Sequence, residues 1–151
     1  MVEMDGDFSH DPKYIPSFLR EIRNVDVVIG SRVVAGGQDL RQSPLRRTLT
    51  RFSSFYAKVV LGLPVRDCNS GYRCFRREVL EAVDLNSFRS TGPSIVQELL
   101  YKAHLRGFSI KEIPIVFTER QAGTSNLNLT KLMQGFLMVL KLRGLALIGR
   151  L

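Results

Sequence analysis

The stretch DVVIGSR, residues 26–32, constrains the fold of this chain more than any other. Val27, Val28 and Ile29 run on without a polar residue between them, so the strand they form buries both faces. A strand covered on both sides reads as a parallel-type strand, and the sheet that holds it needs helices above and below. The neighbouring sequence supplies them. PKYIPSFLREIRN places Ile15, Phe18, Leu19 and Ile22 at helical spacing, with Asp11 as cap and Pro12 at the first helical position. Pro16 falls in the first turn, where its missing N–H costs little. From Pro44 to Leu61, Leu45, Leu49, Phe52, Phe55, Tyr56 and Val59 recur every three or four residues, which is a second helix.

Further strands and helices alternate along the chain. Met1–Met4 reads as the end of a strand, VVAGGQDLRQSP as a glycine-rich loop, and Asn69–Gly71 as a turn leading into an aromatic strand. Helices are expected over Arg77–Val83 and over Pro93–Arg106, the latter stopped by Gly107. FSIKEIPIVFTER alternates apolar and polar residues as a strand does, and Pro114 within it predicts an edge position or a bulge. The order of elements predicts an α/β layered domain.

The last segment, residues 127–151, places Leu129, Leu132, Met133, Phe136, Leu137 and Leu140 on one stripe that Leu147, Ile148 and Leu151 continue. Lys131, Lys141, Arg143 and Arg150 interrupt it, so no uncharged run reaches the ~18–20 residues of a membrane span. A basic, apolar helix of this kind lies either in a membrane interface or against the core or a partner subunit. Met138, Leu142 and Leu145 outside the stripe favour the first or a partner.

The chain carries 22 Lys and Arg against 14 Asp and Glu, a net charge of +8 that favours an anionic partner: phosphates, nucleic acid or an acidic membrane. The aromatic residues fall mostly at core spacing and are not interleaved with basic residues on an exposed sheet, which argues against nucleic acid. Cys68 and Cys74 make no disulfide framework, and a cytoplasmic setting follows. His10 and His104 are too distant from them for a closely spaced zinc site.

Four short stretches carry chemistry. Asp5-Gly6-Asp7 sets two carboxylates on either side of a glycine at a strand end; it reads as a surface turn or as oxygen ligands for a hard divalent cation. A calcium loop of the EF-hand type fails, because its glycine and glutamate positions hold His10 and Pro16. Gly30–Arg32 ends the buried strand, where ligands of open α/β sheets gather and an arginine can fork onto phosphate. DCNSGYR supplies Asp67, Ser70 and Gly71, and ERQAGTSN supplies Arg120, Gly123 and Ser125 after the Gln97-Glu98 helix start.

Together and in this order, VEMDGDFSHDP, DVVIGSR, DxxSGYR, the QE helix and EIPIVFxERxxGxSN resemble the family-2 glycosyltransferases, in particular the dolichol-phosphate (polyprenol-phosphate) mannose synthase branch. The resemblance covers residues 1–126 and implies the GT-A fold, a Rossmann-like α/β domain. It also implies a nucleotide-sugar donor, Mg2+ or Mn2+ as cofactor, a polyprenyl or dolichyl phosphate acceptor, and peripheral attachment to a membrane surface. By the same match Asp5, Gly6 and Asp7 are the DxD motif, Asp7 binds the metal on the donor diphosphate, and Ser9 stands where some relatives add a ligand. Arg32 and Arg120 are the arginines at the reacting phosphates. Arg46, Arg47 and Arg51, with Asp67 and Ser70, lie on the acceptor side. Where the family commonly has G-x-S-K, this chain has Gly123-Thr124-Ser125-Asn126, so Asn126 brings no charge to the donor.

The activity implied is mannose transfer from GDP-mannose with inversion; glucose transfer from UDP-glucose and an inactive membrane-associated remnant are the alternatives. Members of the family also carry an amino-terminal half that holds the nucleobase. Residues 1–126 are therefore expected to be the carboxyl-terminal half of a GT-A domain, followed by the amphipathic helix of residues 127–151. Such a half is expected to be poorly soluble and to show no turnover alone.

Overall fold

The computed structural model of the chain describes residues 1–84, 87–90, 92–119 and 129–151. The domain boundary at 126/127 and the residues Arg120, Gly123, Ser125 and Asn126 lie outside them.

The buried run forms strand β2, Val27–Ser31, and every residue in it is buried. Its neighbours are β1, Val2–Glu3, β4, Arg73–Phe75, and β5, Ile110–Pro114, in the sheet order β1-β4-β2-β5. The parallel character expected of β2 holds on one side only. It pairs parallel with β5 from Val27↔Ile110 to Ser31↔Pro114, and antiparallel with β4 from Val27↔Phe75 to Ile29↔Arg73.

The pleat explains why a continuous apolar run was needed. Val27, Ile29 and Phe75 face one core with Ala57, Leu61, Val79, Leu100, Tyr101, Val139 and Leu142. Val28 and Cys74 face the other with Phe18, Tyr72, Ile113 and Ile115. Successive residues point to opposite faces, and helices or loops cover both. Gly30 is required where the second core is tightest: a Cβ there would sit 2.9 Å from Ile115 Cγ2 and 3.0 Å from Phe18 Cζ.

The helices follow their caps. A 3-10 turn at Pro12–Tyr14, capped by the Asp11 side chain, leads into α1, Ile15–Glu21. Helix α2 spans Pro44–Leu61; the Ser43 side chain caps it, and Gly62 ends it at φ 67. Arg77–Ala82 forms α3 and Ile95–Leu105 forms α4, each slightly shorter than the periodicity predicts. Helix α5 spans Leu129–Leu147.

Two expectations change. The 108–120 strand is broken: β5 ends at Pro114 on the sheet edge, and β6, Val116–Phe117, pairs instead with β3, Gln38–Asp39, inside the expected loop. The apolar stripes of α2 and α5 are also not their packed faces. On α2 the buried residues are Ser54, Ala57 and Leu61, while Leu45, Phe52, Phe55 and Val59 are exposed. On α5, Val139 and Leu142 are buried, while Met133, Leu137, Leu140 and Leu147 are exposed. Both helices are apolar on more than one side, so periodicity cannot say which side meets the core. Phe52 and Phe55 thus depart from the core placement expected of the aromatics, although they stand on a helix and not on a sheet.

Candidate active site

The carboxyl end of β1, the carboxyl end of β2 and the amino end of the antiparallel β4 all lie at one end of the sheet. Three sequence-predicted groups therefore converge: the loop 5–10, Arg32, and the turn 67–71. A Cβ placed on Gly71 would lie 3.8 Å from Asp5 Oδ1 and 3.8 Å from His10 Cε1, which sets the turn directly against the acidic loop.

The acidic loop is held by its own polar groups. Ser9 donates to Asp7 Oδ1 from both its amide (3.1 Å) and its hydroxyl (2.5 Å). That hydroxyl is committed to Asp7 and is buried. Phe8 between them has φ 65, the left-handed region that costs a residue with a Cβ of order 1 kcal/mol or more. Thr118, just beyond β6, steadies this kink: its amide donates to Ser9 O at 3.3 Å and its hydroxyl to Phe8 O at 3.3 Å. The Asp5 side chain is 49 % exposed, so a solute can reach it.

Arg32 and Asp67 meet each other. Arg32 Nε donates to Asp67 Oδ2 at 2.8 Å, Nη2 to Oδ1 at 2.7 Å, and the Arg32 amide to Oδ2 at 3.1 Å. Both side chains are buried. Burial pushes the Asp67 carboxyl up, but the hydrogen bonds and charge of Arg32 more than reverse this and hold it below its ordinary value. The same pairing outweighs burial at Arg32 and raises its pKa. The guanidinium also lies 5.1 Å from the Phe117 ring, which Arg41 approaches at 5.4 Å. Arg32 is thus at the predicted place, with its fork on Asp67.

Ser70 braces the turn: its hydroxyl donates to Gly30 O at 2.6 Å, and the Tyr72 amide donates back to it at 3.3 Å. Asn69 ties the turn to α2 through Ser53 Oγ at 3.0 Å. Arg46 and Arg51 on α2 are exposed, and Arg47 is half-buried with an Nη1 donor 3.5 Å from Asp39 O. Glu98 organises the 89–90 backbone: it accepts from the Arg89 and Ser90 amides and pairs with Lys102 at 3.0 Å.

Four residues that sequence reasoning missed complete this end of the sheet. His10, 3 % exposed, accepts the Asp5 amide on Nδ1 at 3.0 Å and stacks on Tyr72 with centroids 4.8 Å apart. Burial pushes its pKa down, against the opposing pull of Asp5. The Tyr72 hydroxyl donates to Asp11 O at 3.0 Å. Phe117 meets the His10 ring edge-on at 5.2 Å. Arg73, fully buried, donates to Ser70 O at 2.6 Å, to Cys68 O at 2.8 Å and to Val96 O, and burial lowers its pKa. The histidine's position three residues after Asp7 was visible, but its partners were not.

No cluster of three acidic, histidine or cysteine ligands exists among the described residues. Asp5 and Asp7 still fit a hard cation of the Mg2+ class, which takes one or two carboxylates, keeps several waters and shares substrate phosphates. A fully protein-bound metal cage does not fit this donor set.

Comparison with known proteins identifies the family to which this mixed α/β domain belongs. The model for glycosyl transferase family 2 matches residues 1–84, more than half of the chain, and the chain belongs to that family. Its architecture is consistent with the GT-A fold. The chain is 37% identical over 128 residues to the undecaprenyl-phosphate mannosyltransferase of Micrococcus luteus, covering 85% of this chain and 53% of that protein. It is 41% identical over 130 residues to the polyprenol monophosphomannose synthase of Mycolicibacterium smegmatis, covering 85% of this chain and 49% of that protein. The chain spans about half the length of the curated relatives it matches.

Proposed function

We propose that the chain serves transfer of mannose from GDP-mannose to a polyprenyl phosphate, with Asp5 and Asp7 holding Mg2+ or Mn2+. The observation that carries this is the convergence of the acidic loop, Arg32 and the Asp67–Ser70 turn at one sheet end, in a chain whose relatives are named for mannosyl transfer to polyprenyl phosphates.

The chemistry needs no base from the protein. A lipid phosphate monoester has a second pKa near ~6 and is already an anionic nucleophile at neutral pH. Bound at Asp5 and Asp7, the divalent cation would neutralise charge on the donor diphosphate. Asp7, fixed by Ser9, orients its carboxylate; Asp5, half exposed, meets solvent and ligand. The Arg32–Asp67 pair fixes the turn beside them and keeps a cation at the site. Direct attack on the anomeric carbon through an oxocarbenium-like state inverts its configuration. Arg46, Arg47 and Arg51 on α2 are the acceptor-phosphate side, and Arg120 and Asn126 are donor-side residues.

The acceptor places the reaction at a membrane, and the exposed apolar residues of α2 and α5 support attachment there. The two helices pack on each other: the Tyr56 hydroxyl donates to Phe136 O at 3.2 Å, and Phe136 meets Phe52 and Tyr56 edge-on. Neither helix contains an aspartate or glutamate, and both carry Lys or Arg, which suits an anionic surface rather than a span. Among the described residues, no helix is long and apolar enough to cross a membrane. The chain attaches peripherally on the cytoplasmic side, its basic surface turned to lipid headgroups and phosphates and not to nucleic acid.

Two measurements test the proposal together. Mn2+ titration of the chain is expected to show one site that Asp7→Ala weakens about tenfold or more. Labelled GDP-mannose or UDP-glucose with a short polyprenyl phosphate, given to membranes carrying the chain, reports the sugar, and transfer by residues 1–151 alone would overturn the expectation that this half shows no turnover by itself. Glucose transfer would replace mannose in the reading. Absence of both transfer and Asp7-dependent Mn2+ binding would leave an inactive membrane-associated remnant.

A further inference from the structure

The loop 5–11 bends through residues 6–10, carries a strained Phe8 and must still present two carboxylates in a fixed relation. Ser9 holds Asp7 and Thr118 holds the kink, but neither reaches Asp5. The contact that does is the His10 ring, five residues on, whose Nδ1 accepts the Asp5 amide at 3.0 Å. The Asp5 carboxylate itself stands 3.8 Å from that nitrogen, beyond hydrogen-bonding distance, so the ring grips the backbone and leaves the carboxylate to other partners. An amide donor facing Nδ1 fixes the ring as the tautomer with its proton on Nε2.

The ring cannot drift. It stacks on Tyr72 with an interplanar angle of 25° and meets Phe117 edge-on, so the residue leading into β4 and a residue of β6 hold it from two sides. Tyr72 is itself anchored, by packing on Phe18 at 4.6 Å and by its hydroxyl on Asp11 O. The chain of contacts runs from β6 and the residue leading into β4, through an aromatic stack, to the amide of one acidic residue.

We infer that His10 is a positioning residue for the divalent-cation site, its Nδ1 closing a hydrogen bond to the Asp5 amide that sets where the Asp5 carboxylate points. This rests on the reading that Asp5 and Asp7 hold the cation. Outer partners of metal-binding groups typically change affinity about 10–100-fold when removed. The prediction is specific to one atom. Asparagine places its side-chain oxygen the same number of bonds from Cα as Nδ1, whereas glutamine places its polar end where Nε2 stands.

The test is Mn2+ titration calorimetry on the full chain, with thermal melting of the same samples and 15N chemical shifts of the His10 ring. Wild type is expected to bind Mn2+ with an unprotonated, acceptor-type Nδ1. His10→Asn should keep affinity within about threefold, while His10→Gln and His10→Ala should lose about tenfold or more. The decisive comparison is Asn against Gln at matched melting temperatures, because a purely space-filling role would not separate them. Equal Mn2+ affinity in all four proteins, or a protonated Nδ1, overturns the inference while leaving the cation site standing. A wild-type chain without Mn2+ binding that depends on Asp7 overturns the cation site and the inference with it.

Discussion

The sheet end and the α2/α5 surface invert each other. At the sheet end charged and polar groups are buried: Arg32, Asp67, Ser70 and Arg73 each lie at 7 % exposure or less. On the α2/α5 surface apolar groups are exposed: Phe52, Phe55, Leu137 and Leu140 each exceed 50 %. Folding alone favours neither arrangement. Burying ions costs several kcal/mol each before pairing, and exposing large apolar side chains forgoes about 25 cal/mol per Å2. Under the proposed function the first region serves a charged solute and the second an apolar or amphipathic surface.

Substitutions at the two regions should behave in opposite ways. The largest effect is expected at the buried pair. Asp67→Ala leaves Arg32 charged and unpartnered, and chemical denaturation should show a loss of about 3–5 kcal/mol. The double change Arg32→Met with Asp67→Leu should recover most of it; if it does not, the pair holds the fold as well as the site.

Acid should expose the same pair. Arg32 holds the folded Asp67 carboxyl below its ordinary value, so the pair's contribution is complete above ~3.9, the unfolded value, and is lost as pH falls through the lower folded value. The stability of Asp67→Asn should therefore fall less steeply than wild type below about pH 4. A wild-type acid limb unchanged in that variant would remove Asp67 as its source.

A smaller effect is expected at Tyr72→Phe, which deletes the hydroxyl that donates to Asp11 O while keeping the ring under His10. The cost should be about 1 kcal/mol by denaturation. The smallest belongs to the other region. Phe55→Ser or Leu137→Ser should change folding stability by no more than about 0.5 kcal/mol, yet reduce co-sedimentation with anionic lipid vesicles. A large stability loss with unchanged vesicle binding would make that surface an ordinary packed face.

What could be read in advance divides along the same line. Local signals were sufficient for β2, whose apolar run has only one use, and for helix ends marked by Asp11 and Gly107. The spacing of Asp5, Asp7, Arg32 and Asp67 was visible, and the topology explains why it matters: antiparallel β4 returns the 67–71 turn to the end where β1 and β2 finish. Long-range partners were not visible. His10 acts through Tyr72 and Phe117, 62 and 107 residues away, and β3 exists only because β6 lies beside it. The exposed stripes of α2 and α5 escaped for a different reason. A helix apolar on two sides gives periodicity no direction, and only packing shows that Ala57 and Leu142 face inward.

The most direct measurement is paramagnetic broadening of backbone amide signals on adding Mn2+ to the 15N-labelled chain. Broadening centred on residues 5–10 and reaching the 67–71 turn, absent from Asp7→Ala, is the expected result. Broadening centred on another part of the chain, or unchanged in Asp7→Ala, would contradict a cation site at the end of this sheet.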